Sequence, residues 1–289
     1  MNRIVVFVLL CLGVSTINSL SVRPPPKLPI ALNNRVISSK PLIKSAETRL
    51  YLSNAANAQA DEKTNKFVKV VYQISALLGS VLIFYPPRPY EDKVMYMVAA
   101  MNSFILASAA SRGRLSGTTF KLLNLSTITV ALPYTIQALR KYRQVFQDKA
   151  LTLMFFMYLF QTKGSFKSLR VHGLPSLKVE IPKSLLSAGY LVSCISSLYF
   201  GANQMHLNPS IDGVAAIIVM PTIHYILSLA ANANRLNSAT YRELNILVVL
   251  ASTIKLINNG FQWTAPLVFS AFHGIIALRG LIQGFFVKT

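Results

Sequence analysis

The chain has 289 residues, 53% of them hydrophobic and only 13% charged, about half the charged share of ordinary soluble domains. Twenty-nine Lys and Arg against nine Asp and Glu give a net charge of +20, which would suit a nucleic-acid binder. The apolar excess argues against that class and assigns the basic residues to span ends and a presequence. The two cysteines, Cys11 and Cys194, lie far apart, so once an N-terminal leader is removed neither an internal disulfide nor a Cys-rich metal site can form.

The first sixty residues read as an address. A positive start, Met1 to Arg3, precedes the eleven-residue apolar run Ile4 to Val14, too short to span a hydrocarbon core but of signal-peptide length. Small residues for cleavage follow at Ser15, Ser19 and Ser21, so residues 1–21 are signal-like. Residues 22–60 carry Arg23, Lys27, Arg35, Lys40, Lys44 and Arg49 against one acid, Glu47, with the run Pro24 to Pro26; this is a basic, acid-poor, unstructured transit-like composition. The combination resembles the bipartite presequence of plastid proteins in algae with secondary plastids, and Thr48 to Ser53 is similar to the end of such a stretch. Leu20 stands where those leaders often carry Phe. The resemblance implies a plastid membrane. The alternatives are a plain signal peptide with a lumenal tail, placing the protein in the endoplasmic reticulum or another secretory membrane, or an uncleaved signal anchor.

From Val68 onward, apolar runs alternate with short polar connections. The candidate spans are 68–85, 94–111, 120–137, 150–166, 184–201, 212–231, 243–259 and 264–286, an all-α polytopic transmembrane bundle, because a bilayer offers backbone groups no other partner than their own helix. The fourth is weakest: Lys163 and Gly164 interrupt it, and as a re-entrant segment it would leave seven spans. In the eight-span arrangement fifteen basic residues face one side and seven the other, putting both ends of the mature protein on the positive-inside face. The connection 138–149 runs against that rule.

Shifted by 121 residues, Phe104 to Asn124 aligns with Tyr225 to Asn245, and nine of the 21 pairs are identical. Matches inside apolar spans follow from composition alone. The connecting loop is the more telling part: Arg114 pairs with Arg235, Leu115 with Leu236, Thr119 with Thr240 and Asn124 with Asn245, while Phe120 with Tyr241 and Lys121 with Arg242 keep their chemistry. The unit is four helices used twice, over 61–170 and 171–289. Four is even, so the copies run parallel about a pseudo-two-fold axis along the membrane normal. A plainer role for these residues is local: Thr and Asn capping each third helix, with the basic residue as interfacial anchor.

No Asp or Glu lies mid-span, which argues against proton relays, sodium sites and paired-carboxylate metal enzymes. The deep polar residues are His224 and His273, and the 121-residue shift sets His224 against Ser103, on the small-residue stripe Ala99, Ser103, Ala107 and Ser111. A buried histidine here is a pigment or haem ligand, a solute contact or, the commonest case, an interhelical hydrogen bond. Asn124 and Asn245 are further candidate contacts. Lys255 and Arg279 near span ends either snorkel or form an anion-attracting funnel. Pro133, Pro221 and Pro266 kink or start helices, and Gly280 with Gly284 has helix-packing spacing. The chain lacks phosphate-loop, zincin, nucleophile-elbow and Asp-rich diphosphate motifs, so neither catalysis nor a resident cofactor or metal is expected. The partners expected are the lipid bilayer, other membrane proteins or a second copy, and no nucleic acid. The leading reading is a protein that moves or binds a small solute, anionic by the charge balance, between two pseudo-symmetric halves. The alternative is a non-catalytic scaffold, assembly or pigment-associated protein of a plastid membrane.

Overall fold

The computed structural model describes residues 41–85, 90–177, 180–207, 211–258 and 264–286; the signal-like segment and residues 22–40 lie outside them. The described residues form α1 (Pro41–Phe84), α2 (Tyr90–Ser111), α3 (Thr118–Arg140), α4 (Tyr142–Gln147), α5 (Lys149–His172), α6 (Leu185–Leu207), α7 (Ile211–Asn232), α8 (Ala239–Asn258) and α9 (Ala265–Phe286). No strand occurs among them. By contacts the chain divides into residues 1–57 and 58–289. The described part of the first unit is the opening of α1, and the remainder of α1 with all the other helices belongs to the second.

Composition predicts an unstructured leader to residue 60, yet α1 begins at Pro41. Proline suits the first turn of a helix, and neither Gly nor Pro interrupts the chain from Leu42 to Leu78, so nothing in between stops helix propagation. The short α4 occupies the connection that breaks the charge rule, a helix with too few residues to leave a periodic signature.

Five helical stretches are long and apolar enough to cross a membrane: Asp61–Phe84, Lys93–Ser111, Thr118–Arg140, Leu185–Asn203 and Leu267–Phe285, with Ile217–Asn232 a shorter apolar helix. They fit an integral membrane protein. Eight spans are not confirmed among the described residues, and in α5 and α8 polar residues lower the apolar character of the helix. The 24-residue α5 buries Gln161, Ser165 and Ser168, and the 20-residue α8 buries Asn245 and Ser252, so these helices turn polar groups inward. Large hydrophobic side chains lie on the outer faces: Leu77 on α1 and Ile275 on α9 are each 64% exposed, Phe166 on α5 60% and Ile195 on α6 59%. Such surfaces are unfavourable in water and match a hydrocarbon solvent.

Helix ends are set by specific residues. Asp148 caps α5, its Oδ1 accepting from the backbone N–H groups of Ala150 at 2.7 Å and Leu151 at 3.2 Å, and Gly173 at φ 78° closes the other end, a left-handed conformation that glycine adopts without strain. After α2, the Arg114 N–H reaches the Ala109 carbonyl at 2.9 Å, Gly117 the Arg114 carbonyl at 3.1 Å and Lys121 the Gly117 carbonyl at 3.0 Å. After α7 the same three bonds recur from Arg235 to Ala230 at 2.9 Å, Ser238 to Arg235 at 3.1 Å and Arg242 to Ser238 at 3.1 Å. Gly113 and Asn234, both at positive φ, turn the chain at matching positions, Asn being a residue that tolerates this region. Leu115 and Leu236 plug the core beneath both turns.

Two packing pairs recur along the chain. α3 lies against α5 as α8 lies against α9, and α2 meets α3 as α7 meets α8. α3 also packs against α7 and α2 against α8, around a core that includes Ile105, Leu106, Leu123, Ile226, Leu227 and Leu244. Glycines permit the closest approaches. A Cβ added to Gly280 would overlap the Tyr190 hydroxyl, and one on Gly284 would lie 2.6 Å from the Leu236 carbonyl oxygen, so the Gly-x-x-x-Gly spacing marks a real helix contact.

Gly280→Ala is expected to destabilise the detergent-solubilised protein by about 1–3 kcal/mol through overpacking, lowering its thermal midpoint by several degrees. Gly173→Ala, with open space around it but a positive φ and extended ψ, should lose about 1–3 kcal/mol. Equal midpoints for parent and Gly280→Ala would contradict the close approach.

Candidate functional site

Two fully buried tyrosines, Tyr72 and Tyr190, bond across helices. Tyr72 on α1 donates its hydroxyl proton to Asn124 Oδ1 on α3 at 2.6 Å. With that single proton committed, the tyrosine oxygen accepts from Ser165 Oγ on α5, 2.7 Å away. Asn124 turns its amide back to the Phe120 carbonyl at 2.8 Å. In the second half Tyr190 on α6 donates to Asn245 Oδ1 on α8, and Asn245 Nδ2 reaches the Tyr241 carbonyl at 3.0 Å. Gly164 and Gly280 make room beside the two tyrosines. The expected contact residues Asn124 and Asn245 are thus both engaged between helices, which is the structural use of polar groups in a bundle.

The loop residues divide by role. Arg114 and Arg235 are exposed, while Lys121 and Thr240 are half-buried. Thr119 does not cap α3: Gly117 holds the cap position, without a side-chain bond, and Thr119 Oγ1 lies 3.1 Å from the Tyr241 hydroxyl across the seam between halves. The Arg242 guanidinium stacks over the Phe285 ring, 4.8 Å from its centre, tying α8 to the end of α9. Lys255 and Arg279 are exposed, as snorkelling requires.

Deeper in the bundle the two halves diverge. Ser103, fully buried on α2, lies 3.1 Å from Ser75 Oγ of α1 and accepts from Gln161 Nε2 of α5 at 2.9 Å. Gln161 also donates to the Ala99 carbonyl at 3.2 Å, and Ser75 to the Met157 carbonyl at 3.3 Å. These contacts all fall inside the first half, and they close the Ser103 position. At the matching place in the second half stand Ser193 on α6, His224 on α7 and His273 on α9. The His224 and His273 ring centres are 4.7 Å apart with planes tilted by 56°. His273 Nε2 is 2.7 Å from Ser196 Oγ, so His273 is held between helices as an ordinary buried histidine would be. His224 is fully buried, yet neither of its ring nitrogens has a partner, and the buried hydroxyls of Ser193 and Ser197 also lack one. Of the described residues with buried, unpartnered side-chain atoms, His224 alone has two.

Sequence reasoning singled out Ser103, His224 and His273 but left the two imidazoles unconnected, and it passed over Tyr72, Ser75, Gln161, Ser165, Tyr190, Ser193 and Ser196. A usable signal existed. Tyr72 and Tyr190 match at a shift of 118 residues and Gly164 and Gly280 at 116, differing from 121 because the connections between helices differ in length. Among the described residues no group of three or more His, Cys, Asp and Glu side chains is placed to hold a metal ion. No known protein family, curated protein or solved structure matches the chain.

An unpartnered buried polar group costs about 1–3 kcal/mol, and replacing it with an apolar group of similar size is neutral or stabilising. His224→Leu should therefore melt at or above the parent's temperature in detergent. Asn245→Leu, which strands the Tyr190 hydroxyl, should lose about 1–3 kcal/mol. If His224→Leu were as destabilising as Asn245→Leu, His224 would be an interhelical bond and not an open site.

Proposed function

We propose that this is an integral membrane protein built from a duplicated four-helix unit, and that its second copy binds a small ligand at His224 and His273. The duplication is supported by the repeated turn after α2 and α7, by the Tyr–Asn clamps and by the crosswise joining of the halves. The observation that carries the binding reading is the contrast at one position: Ser103 has its partners in the first half, while His224 has none in the second. A protein serving only as a scaffold has no use for a fully buried imidazole left unbonded, since that group weakens the fold. Transport by rocking two halves about a shared site draws less support, because the histidine pair lies within one half and the Ser103 position is closed. Polar α5 and α8 complete an eight-helix bundle with their polar faces inward.

The address is proposed to be a plastid membrane, on the composition of residues 1–60. A C-terminal fluorescent fusion should light up the plastid envelope or internal membranes; fluorescence confined to secretory membranes would contradict this. For the binding reading, the full chain extracted gently from its own membrane and examined by native mass spectrometry should carry a bound small ligand, and His224→Leu should lose it. Identical masses beyond the substitution itself would contradict binding at His224.

A further inference from the structure

Building on the reading that His224 and His273 hold a ligand, we infer that the ligand is a soft monovalent transition-metal cation of the copper(I) class. Burial, donor type, charge, coordination number and ring geometry each narrow the chemistry. The two rings are in contact at 4.7 Å, and the site is lined by completely or nearly completely buried groups, which suits an ion better than an organic solute. The donors are imidazole nitrogens, which favour copper, zinc, iron and nickel over magnesium, calcium or sodium.

Charge selects within that group. No Asp or Glu of the sequence lies mid-span and the one side-chain charge acting on His273 is the cation Lys255, so a divalent ion would be buried with no counter-charge, at a cost that rises steeply with ionic charge in a low-dielectric interior. A monovalent ion minimises that cost. Coordination number agrees: no third His, Cys, Asp or Glu joins the pair among the described residues, so the four-ligand set of a structural zinc is not present, whereas copper(I) is stable with two or three ligands.

Geometry sets the arrangement. With a metal–nitrogen distance of about 2.0 Å and the nitrogen about 1.1 Å from the ring centre, two imidazoles in line on one ion would have centres about 6.2 Å apart. Centres near 4.7 Å correspond instead to a bent nitrogen–metal–nitrogen angle of roughly 100° on the same distances. A bent pair leaves a third position open. Met220 lies one helical turn before His224 on the same face of α7, and its thioether is the soft ligand that completes a three-coordinate site. Ser196 acts as a positioning residue: its hydroxyl holds His273 Nε2 at 2.7 Å, so His273 presents Nδ1 to the ion, and His224 offers whichever nitrogen faces it.

Silver(I), a redox-inert stand-in for copper(I), tests this on the full chain in lipid nanodiscs. After equilibration and desalting, metal content is measured by elemental mass spectrometry, with intact folding checked by the melting curve. The parent is expected to retain about one silver ion per chain more than His224→Leu, a difference that cancels binding to cysteines and surface methionines. Ser103→Ala, altered at the matching place in the first half, should retain as much silver as the parent. Equal retention by parent and His224→Leu would overturn the metal assignment. If in that case the parent still carries an organic adduct that His224→Leu lacks, the binding reading stands with another ligand class; with neither, both fall.

Discussion

A polar group carried into hydrocarbon has no water to bond, so it must find its partner inside the protein or weaken the fold. That constraint organises this molecule. Gln161, Ser165, Asn245 and Ser252 of α5 and α8 are buried in the bundle, as are Ser75, Ser193 and His273 of α1, α6 and α9, whose outer faces carry exposed Leu77, Ile195 and Ile275. Glycine spacing follows from it too, since the tyrosine clamps that satisfy Asn124 and Asn245 fit only because Gly164 and Gly280 leave space for the rings. Association of apolar helices in lipid gains little from the hydrophobic effect, so close packing and these interior bonds carry much of the energy that fixes the helices against one another.

The same constraint makes the difference between halves informative. On the proposed duplication, a position satisfied in one copy and unsatisfied in the other points to a role the architecture alone does not require. Ser103 shows that the scaffold can close this place with small hydroxyls and one glutamine. The second half has an alanine, Ala277, in the register of Gln161 and two imidazoles where the first has Ser103 and Met157. Such a change sacrifices stability locally, which is the usual signature of a site kept for function.

Much of the architecture was legible in the sequence, because helices facing lipid must be long and apolar. The all-α class, the bundle and the helix positions after residue 90 follow from that rule. The loop matches at Arg114 and Arg235 located a turn whose hydrogen bonds recur. Three things were not legible. The start of α1 at Pro41 was hidden by a leader-like composition that does not exclude helix. The six-residue α4 is too short to show a period. Above all, the meeting of His224 and His273 depends on how α7 and α9 each pack against α6 and α8, and no local pattern in either helix encodes it; only the Met157 to His273 register, at a shift different from that of the loops, points to it.

The central claim is that the imidazole pair of the second half takes up a ligand where the first half is closed. With only four histidines in the chain, nitrogen-15 spectra of histidine-labelled protein in liposomes resolve it directly. On adding silver(I), the ring-nitrogen signals of His224 and His273 are expected to move together while those of His172 and His206 stay in place. Unchanged signals from His224 would contradict the account.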